Sequence, residues 1–550
     1  MAALSGARAQ DVWGGGFPDD NVNTASNWIG GVVPPGYTAD TDILVFNSSS
    51  NPYMNLNVAG IDFKGIQFQD TGNGADAAIY GANALTIGSN GISMDSVEDS
   101  MSLSVATDLH LGADQTWSPG PNGEIRVSGM ISGTALLTFA GGNGSYYELD
   151  NGANSFSGGL TVTGDGTVLV VGGTGSPFGT GALSLADGVW LQPRYNGTVV
   201  LPNAVTFGDS TTGDTVLLGN DDENAPAPGA LTFNGNATFK VNGTDSSDSE
   251  IDLFPNTTVI LNGSLNGATP GVCIDIGTDS FTDNDLTNFN SVAILRGDFG
   301  SNVSRFDLED NISVILDGNP TTQTSNVSNI GVPDGTYLGL GAGYIGHVAA
   351  FLASGNIDQS NFTGTLGFDN TTGGTSTFGD DIDMTNFDSD SQFPGLGSAT
   401  KAILTGFITP PGGLALQFGT NYLFGGGGGH LQVTSALTDS FWYDGEEFDD
   451  EPNSLYLSPG NGPLTLQLSG TLSYTGGTYV DGAVLVFDTT VPTAGGIFLG
   501  ERKDSPGYVG VTANSQFIFN GEGGAGTLPQ DFVNMIDTES SGVVGFEQGT

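Results

Sequence analysis

The chain has 550 residues and carries 60 acidic against 10 basic side chains, a formal net charge of −50. Nucleic acids and anionic membrane surfaces are held through Lys and Arg, so this balance excludes both as partners and suits solubility, divalent cations or a saline setting. Glycine contributes 89 residues and charged residues only 13%, yet Phe alone numbers 32, which separates the chain from the aromatic-poor composition of disordered polypeptides.

In chain order, residues 1–10 close on Ala7-Arg8-Ala9-Gln10, an A-x-A-like processing site. This start reads as the tail of a secretion signal whose front is missing. Residues 11–46 hold Trp13, Asn27-Trp28, Pro34-Pro35 and the run Ile43-Leu44-Val45-Phe46. They read as an N-terminal cap, because the first coil of a solenoid exposes apolar core and unpaired backbone. Packing is the expected role of both tryptophans.

Residues 47–200 carry short alternating segments such as Ile61-Asp62-Phe63, Leu85-Thr86-Ile87, Leu103-Ser104-Val105 and Ile125-Arg126-Val127. Alternation marks strands buried on one face. The clearest stretch, 145–191, repeats this pattern and closes each segment with Gly, Asn or Asp, residues that supply positive φ or bond their own backbone in turns. Residues 201–440 keep the alternation less regularly, with excursion loops expected at 225–229 and 410–413 and a hinge at the five glycines 425–429. Within them, Cys273 sits between Val272 and Ile274-Asp275-Ile276 and reads as a small buried apolar residue of a strand. As the only cysteine, it can form no intramolecular disulfide. Residues 441–550 read as C-terminal coils. No apolar run approaches the ~20 residues that span a bilayer as a helix.

The series Asn27-Trp28, Phe46, Gly60-Ile61-Asp62-Phe63, Gln115-Thr116-Trp117 and Asn154-Ser155-Phe156-Ser157-Gly158-Gly159-Leu160-Thr161-Val162 resembles bacterial secreted proteins with autotransporter-associated β-strand repeats. A looser copy of the Asn-x-aromatic-Ser/Thr-Gly-Gly core lies at Tyr474-Thr475-Gly476-Gly477-Thr478, and a degraded one at Asn361-Phe362-Thr363-Gly364-Thr365. The resemblance is good over residues 11–200, patchy afterwards and recovered near 464–500. It implies an all-β chain, a right-handed parallel β-helix exported across the cell envelope. The sequence departs from that family in showing neither a run of amphipathic barrel strands nor a hydrophobic sorting tail near residue 550. At about 20 to 25 residues per coil and ~4.8 Å between stacked strands, an elongated rod of about 100 Å is expected.

Acidic clusters are the candidates for chemistry: Asp221-Asp222-Glu223, Asp380-Asp381 with Asp383, Glu446-Glu447 with Asp449-Asp450-Glu451, and the near-alternating Asp245, Asp248, Glu250 and Asp252. The last set is the candidate calcium site, because hard cations need several converging oxygens. Neither the EF-hand spacing nor the Gly-Gly-x-Gly-x-Asp repeat is present. His110, His347 and His430 stand apart, without metal-ligand spacing, and no nucleophile elbow or phosphate loop occurs. The expectation is a non-catalytic, secreted or cell-surface structural β-solenoid of bacterial origin, in adhesion, matrix or a self-assembling fibre. It needs no cofactor, apart from calcium at the acidic set, and its partners are other copies of itself or glycans. The alternative is a carbohydrate-active β-helix enzyme or glycan-binding module, with a groove at Trp442 and Tyr443.

Overall fold

The computed structural model describes residues 10–499 except 16–18, 34–41, 48–51, 70–75, 96–100, 143, 173, 195–197, 210–214, 220–229, 241–247, 279–290, 310, 360, 388–394, 412–420, 440, 444–445, 449–451 and 489–494, together with 516–519, 534, 536 and 543–546. Two compact units divide the chain, Met1–Val272 and Cys273–Thr550. Each is a β-solenoid of stacked parallel strands.

In the first unit one sheet runs from Asp11–Trp13 through Ile43–Asn47, Ile61–Gln69, Leu85–Asp95, Gln115–Ser118, Leu137–Ala140, Leu160–Thr163, Leu183–Leu185, Val205–Phe207 and Ala237–Phe239 to Leu265–Gly267. A second runs from Tyr53–Asn55 through Ala77–Tyr80, Ser102–Val105, Glu124–Val127, Tyr146–Leu149, Val168–Val171, Trp190–Pro193 and Val216–Leu218 to Asp248–Leu253. The alternation read from the sequence becomes columns. Leu103, Ile125, Tyr147, Leu169 and Leu191 stack inward, each no more than 1% exposed. Burial of each such side chain contributes roughly 1.5–3 kcal/mol, and it is shared with the coils on either side.

The repeat's landmark residues are explained by this stacking. Asn154 accepts the Ile131 amide at 2.7 Å and donates to the Pro177 carbonyl at 2.7 Å, each partner 23 residues away. One buried side chain thus bonds the coil before it and the coil after it. Phe156 is fully buried beside it, and a Cβ at Gly158 would lie 2.1 Å from the Ala135 carbonyl carbon. The copies at Tyr474 and Phe362 keep only part of this form: the first has no asparagine, and Asn361 is exposed and donates to Asp358. Both aromatics are fully buried; Gly476 donates to Asn453 and Gly364 to Val332.

The period does not stay constant. Leu137, Leu160 and Leu183 stand side by side at 23-residue intervals, whereas Thr215 meets Glu250 across 35 residues and Gly427 meets Asn461 across 34. Two further differences from the sequence reading are local. The residues on both sides of Lys64 form one strand, Ile61–Gln69, whose register slips between Phe63 and Gly65 because the next strand, Leu85–Asp95, has two extra residues there: Phe63 stands beside Ile87 and Gly65 beside Gly91. A five-residue helix, Val348–Leu352, interrupts the strands. Its Val348, Phe351 and Leu352 fall on one buried face, at the i, i+3, i+4 spacing of a helix.

At the N-terminal end residues 19–29 pair with both first strands. Gly14 donates to Asn27 and Ile29 to Val12, so residues 27–29 run antiparallel beside Asp11–Trp13. Asn55 donates to Asp20, and Val22 donates to Asn55. Trp13 and Trp28 meet edge to face at 5.1 Å, and the Trp28 indole donates to the Val22 carbonyl at 2.8 Å. Both indoles are packed, 0% and 3% exposed.

In the second unit the longest sheet runs Val292–Leu295, Ser313–Leu316, Tyr337–Leu340, Thr365–Phe368, Gly395–Gly397, Asn421–Phe424, Ser454–Leu457, Thr478–Val480, Ile497–Leu499. Beside it stack Ser376–Phe378, Lys401–Leu404, His430–Val433, Thr465–Leu468, Val484–Phe487, Gln516–Phe519 and Val543–Phe546. The glycine run 425–429, expected as a hinge, is a packed turn. Gly425 donates to Leu396, Gly427 to the Asn461 side chain at 2.7 Å and Gly429 to Ser398. At Gly427 φ is +85° and a Cβ would lie 2.4 Å from the Ser398 carbonyl carbon, so glycine serves close approach here rather than flexibility. The excursion loop at 225–229, and 412–413 of the other, lie outside the described residues.

Candidate functional site

Alternation along Glu124–Val127 sends Ile125 and Val127 inward and leaves Glu124 and Arg126 outward. One coil later, Tyr146 and Glu148 stand beside them. With Asp76, Ser102, Ser104 and Asn122 from neighbouring coils, Glu124, Arg126 and Tyr146 line an open groove of about 590 Å³.

Beside this groove, charge is organised around one buried carboxylate. Glu148 is 3% exposed, and its two oxygens face two guanidiniums: Arg194 Nη1 at 3.0 Å from Oε1 and Arg126 Nε at 3.4 Å from Oε2. Arg126 also binds Glu124 and lies 5.6 Å from the Tyr146 ring centroid. Arg194 also binds Asp150. Burial pushes the Glu148 carboxyl above its usual range and the neighbouring Asp150 adds to this, against the lowering pull of Arg194 and Arg126. Both arginines are committed to carboxylates, Arg126 to Glu124 and Glu148 and Arg194 to Asp150 and Glu148.

Arg194 reaches Asp150 only because the residue between them has no side chain. The backbone ladder places Asp150, Gly172 and Arg194 in successive coils, and a Cβ at Gly172 would lie 2.5 Å from Asp150 Oδ1 and 3.3 Å from Arg194 Cδ.

Of the candidate calcium ligands, Asp245 lies outside the described residues, as does the side chain of Asp248. Glu250 and Asp252 alternate along the strand Asp248–Leu253, both half-buried. Glu250 accepts the Thr215 hydroxyl, and Asp252 stands beside Leu217. Asp221-Asp222-Glu223 also lies outside the described residues, as do the side chains of Trp442, Tyr443, Glu446 and Glu447. Asp380 accepts the Gly346 amide and Asp381 the Phe407 amide, 34 and 26 residues away, while Asp383 shapes a turn by accepting the Thr385 amide and hydroxyl. His110 Nδ1 lies 3.2 Å from the Ser132 hydroxyl, His347 precedes the short helix, and His430 stands beside Lys401 and Thr465.

Cys273 is fully buried, with its thiol donating to Asp275 Oδ1 at 3.0 Å. Asp307 completes a trio whose ligand atoms lie within 4.8 Å of one another. Burial and the two carboxylates push the thiol's pKa up, and Arg305 is paired with Asp307.

Sequence reasoning missed a second buried carboxylate. Asp369, 0% exposed, accepts the Tyr337 hydroxyl at 2.6 Å, the Ala399 amide at 2.9 Å and the Thr400 hydroxyl at 2.9 Å. Burial pushes it up to about 6, against the pull of those three donors. Tyr337 lies flat across Gly367, where a Cβ would fall 1.8 Å from its hydroxyl. Glycines in alternate strand positions were the one available signal, and a glycine-rich chain hides it. No family model matches this chain, and the searches of curated proteins and of solved structures found no match.

Proposed function

We propose that this chain is a non-catalytic structural β-solenoid that works outside a bacterial cell, as an adhesive or matrix scaffold that associates with copies of itself. The observation that carries this reading is Asn154, whose two bonds are both spent on neighbouring coils. The repeat's landmark residues serve stacking, as they would in the autotransporter-associated repeats the sequence resembles. Residues 19–29 already occupy the outer sides of the first strands, so we place self-association on the lateral faces or at the other end rather than across that edge. Neither a cofactor nor calcium is needed for this role. Electron microscopy and light scattering over a concentration series test it: ordered multimers are expected, and uniform monomers at every concentration overturn it.

A second reading is a carbohydrate-active protein, favoured by the open groove that Asp76 and Glu124 line and by the buried Glu148 beside Arg126, whose carboxyl burial raises. Glycoside hydrolysis uses a raised carboxyl acting with a second carboxylate across the scissile bond. Release of reducing ends from polysaccharides, abolished by Glu148→Gln, would replace the scaffold reading with this one.

A further inference from the structure

Bonds between neighbouring coils join residues 23 to 35 apart. Three contacts in the second unit reach past their neighbours. Arg296 Nη2 donates to the Thr371 hydroxyl at 3.2 Å, 75 residues on. The strands these residues follow, Val292–Leu295 and Thr365–Phe368, stand three places apart in the sheet. The Ala399 amide donates to the Tyr337 hydroxyl at 2.8 Å, 62 residues back and beyond the intervening strand Thr365–Phe368. Asn461 reaches furthest. Its Nδ2 donates to the Ser313 hydroxyl at 2.9 Å across 148 residues, and its Oδ1 accepts the Gly427 amide at 2.7 Å. Ser313 opens its strand, and Asn461 follows Ser454–Leu457, five places further along the same sheet.

Bare backbone lets these side chains pass. Arg296 and Thr371 both bind Asp317, and a Cβ at Gly341, in the coil between, would meet Asp317 Oδ1 at 2.3 Å. Two turns fold back over Thr365 on glycines: an added Cβ would lie 2.4 Å from its Oγ1 at Gly426 and 3.3 Å at Gly460. A Cβ at Gly460 would also lie 3.0 Å from Gly426, so Asn461 sits on a strap laid over the earlier turn. A solenoid coil ordinarily touches only its neighbours, which makes stability nearly a sum of local terms and lets any coil open alone. A bond that skips coils breaks that rule, because opening either end severs it. The spans also interleave: 296–371 overlaps 337–399, and 313–461 overlaps the first and encloses the second.

We infer that the described coils between residues 296 and 461 open as one cooperative block, latched by the Asn461 side chain on Ser313. The latch goes beyond the scaffold reading and does not rest on it, since a monomer and an assembly would carry it alike. Native-state hydrogen exchange by mass spectrometry on the full chain tests it, because exchange reports which segments open together. In the wild type, peptides covering 313–316, 337–340 and 421–429 should share one response to rising denaturant. Ser313→Ala, which deletes a single hydroxyl, should speed exchange at residues 425–429 at least tenfold. Asn461→Ala should do the same at residues 313–316, with the first-unit strand Leu160–Thr163 unchanged in both variants. If Asn461→Ala folds poorly, Ser313→Ala carries the test alone. Separate responses of the three segments overturn the inference, as do effects confined to the substituted coil and its neighbours, or a loosening that includes Leu160–Thr163.

Discussion

Arg194 binds Asp150 across a whole intervening coil, a separation of 44 residues bridged over the bare backbone of Gly172. The pair is partly exposed, Arg194 at 41% and Asp150 at 23%, so it contributes no more than about 1 kcal/mol and fades with salt. Its larger effect falls on Glu148, which Arg194 also faces at 3.0 Å. Arg194→Met removes one of two lowering charges from a carboxyl that burial already holds high. The carboxyl should therefore titrate higher still, read by carbon-13 NMR of the Glu148 side chain; an unmoved titration would show that Arg126 alone sets it.

Asn154→Ala strands the Ile131 amide and the Pro177 carbonyl inside the wall. At roughly 1–3 kcal/mol for each buried group left unpaired, a loss of about 2–4 kcal/mol is expected in chemical denaturation. Asn57→Ala, which removes an exposed bond to Asn23, should stay within about 0.5 kcal/mol. Equal losses would mean that the cross-coil bonds of Asn154 are not special.

Two adjacent glycines separate packing from backbone strain. Gly427 and Gly428 both have positive φ, but a Cβ at Gly427 meets the Ser398 backbone at 2.4 Å, and one at Gly428 meets nothing within 4 Å. Gly428→Ala should cost about 1–2 kcal/mol, the price of a left-handed Ala, and Gly427→Ala clearly more. Thermal melts of the two variants check this, and indifference to both would restore the hinge reading.

Stability should fall as pH rises through the window set by Asp369. Its folded value is about 6 against an ordinary 3.8. Between those values the folded chain holds a proton that the unfolded chain has released, so stability present below about pH 4 is lost by about pH 6. The loss is on the order of 3 kcal/mol. Asp369→Asn should remove this component, so the wild type gains on the variant as pH drops from 7 to 4. Parallel denaturation curves at the two pH values would rule it out.

The strands were legible because alternation is a local property: Leu103-Ser104-Val105 announces its buried face without help from the rest of the chain. The Asn154 motif was legible as a landmark, though not its bonds to Ile131 and Pro177. Partners that depend on coil length were hidden. Nothing in Gly367-Phe368-Asp369-Asn370 marks Asp369, and only stacking brings Tyr337, 32 residues earlier, and Ala399, 30 later, onto it.

Neighbouring coils stay in register whether their partners are 23 or 35 residues apart. The wall therefore constrains only the strands, and the lengths between them are free to drift. Such a chain can acquire or shed a dozen residues at a corner without disturbing the coils above and below. Inheritance can act on its outer surface as separate segments, each replaceable while the stack beneath it persists.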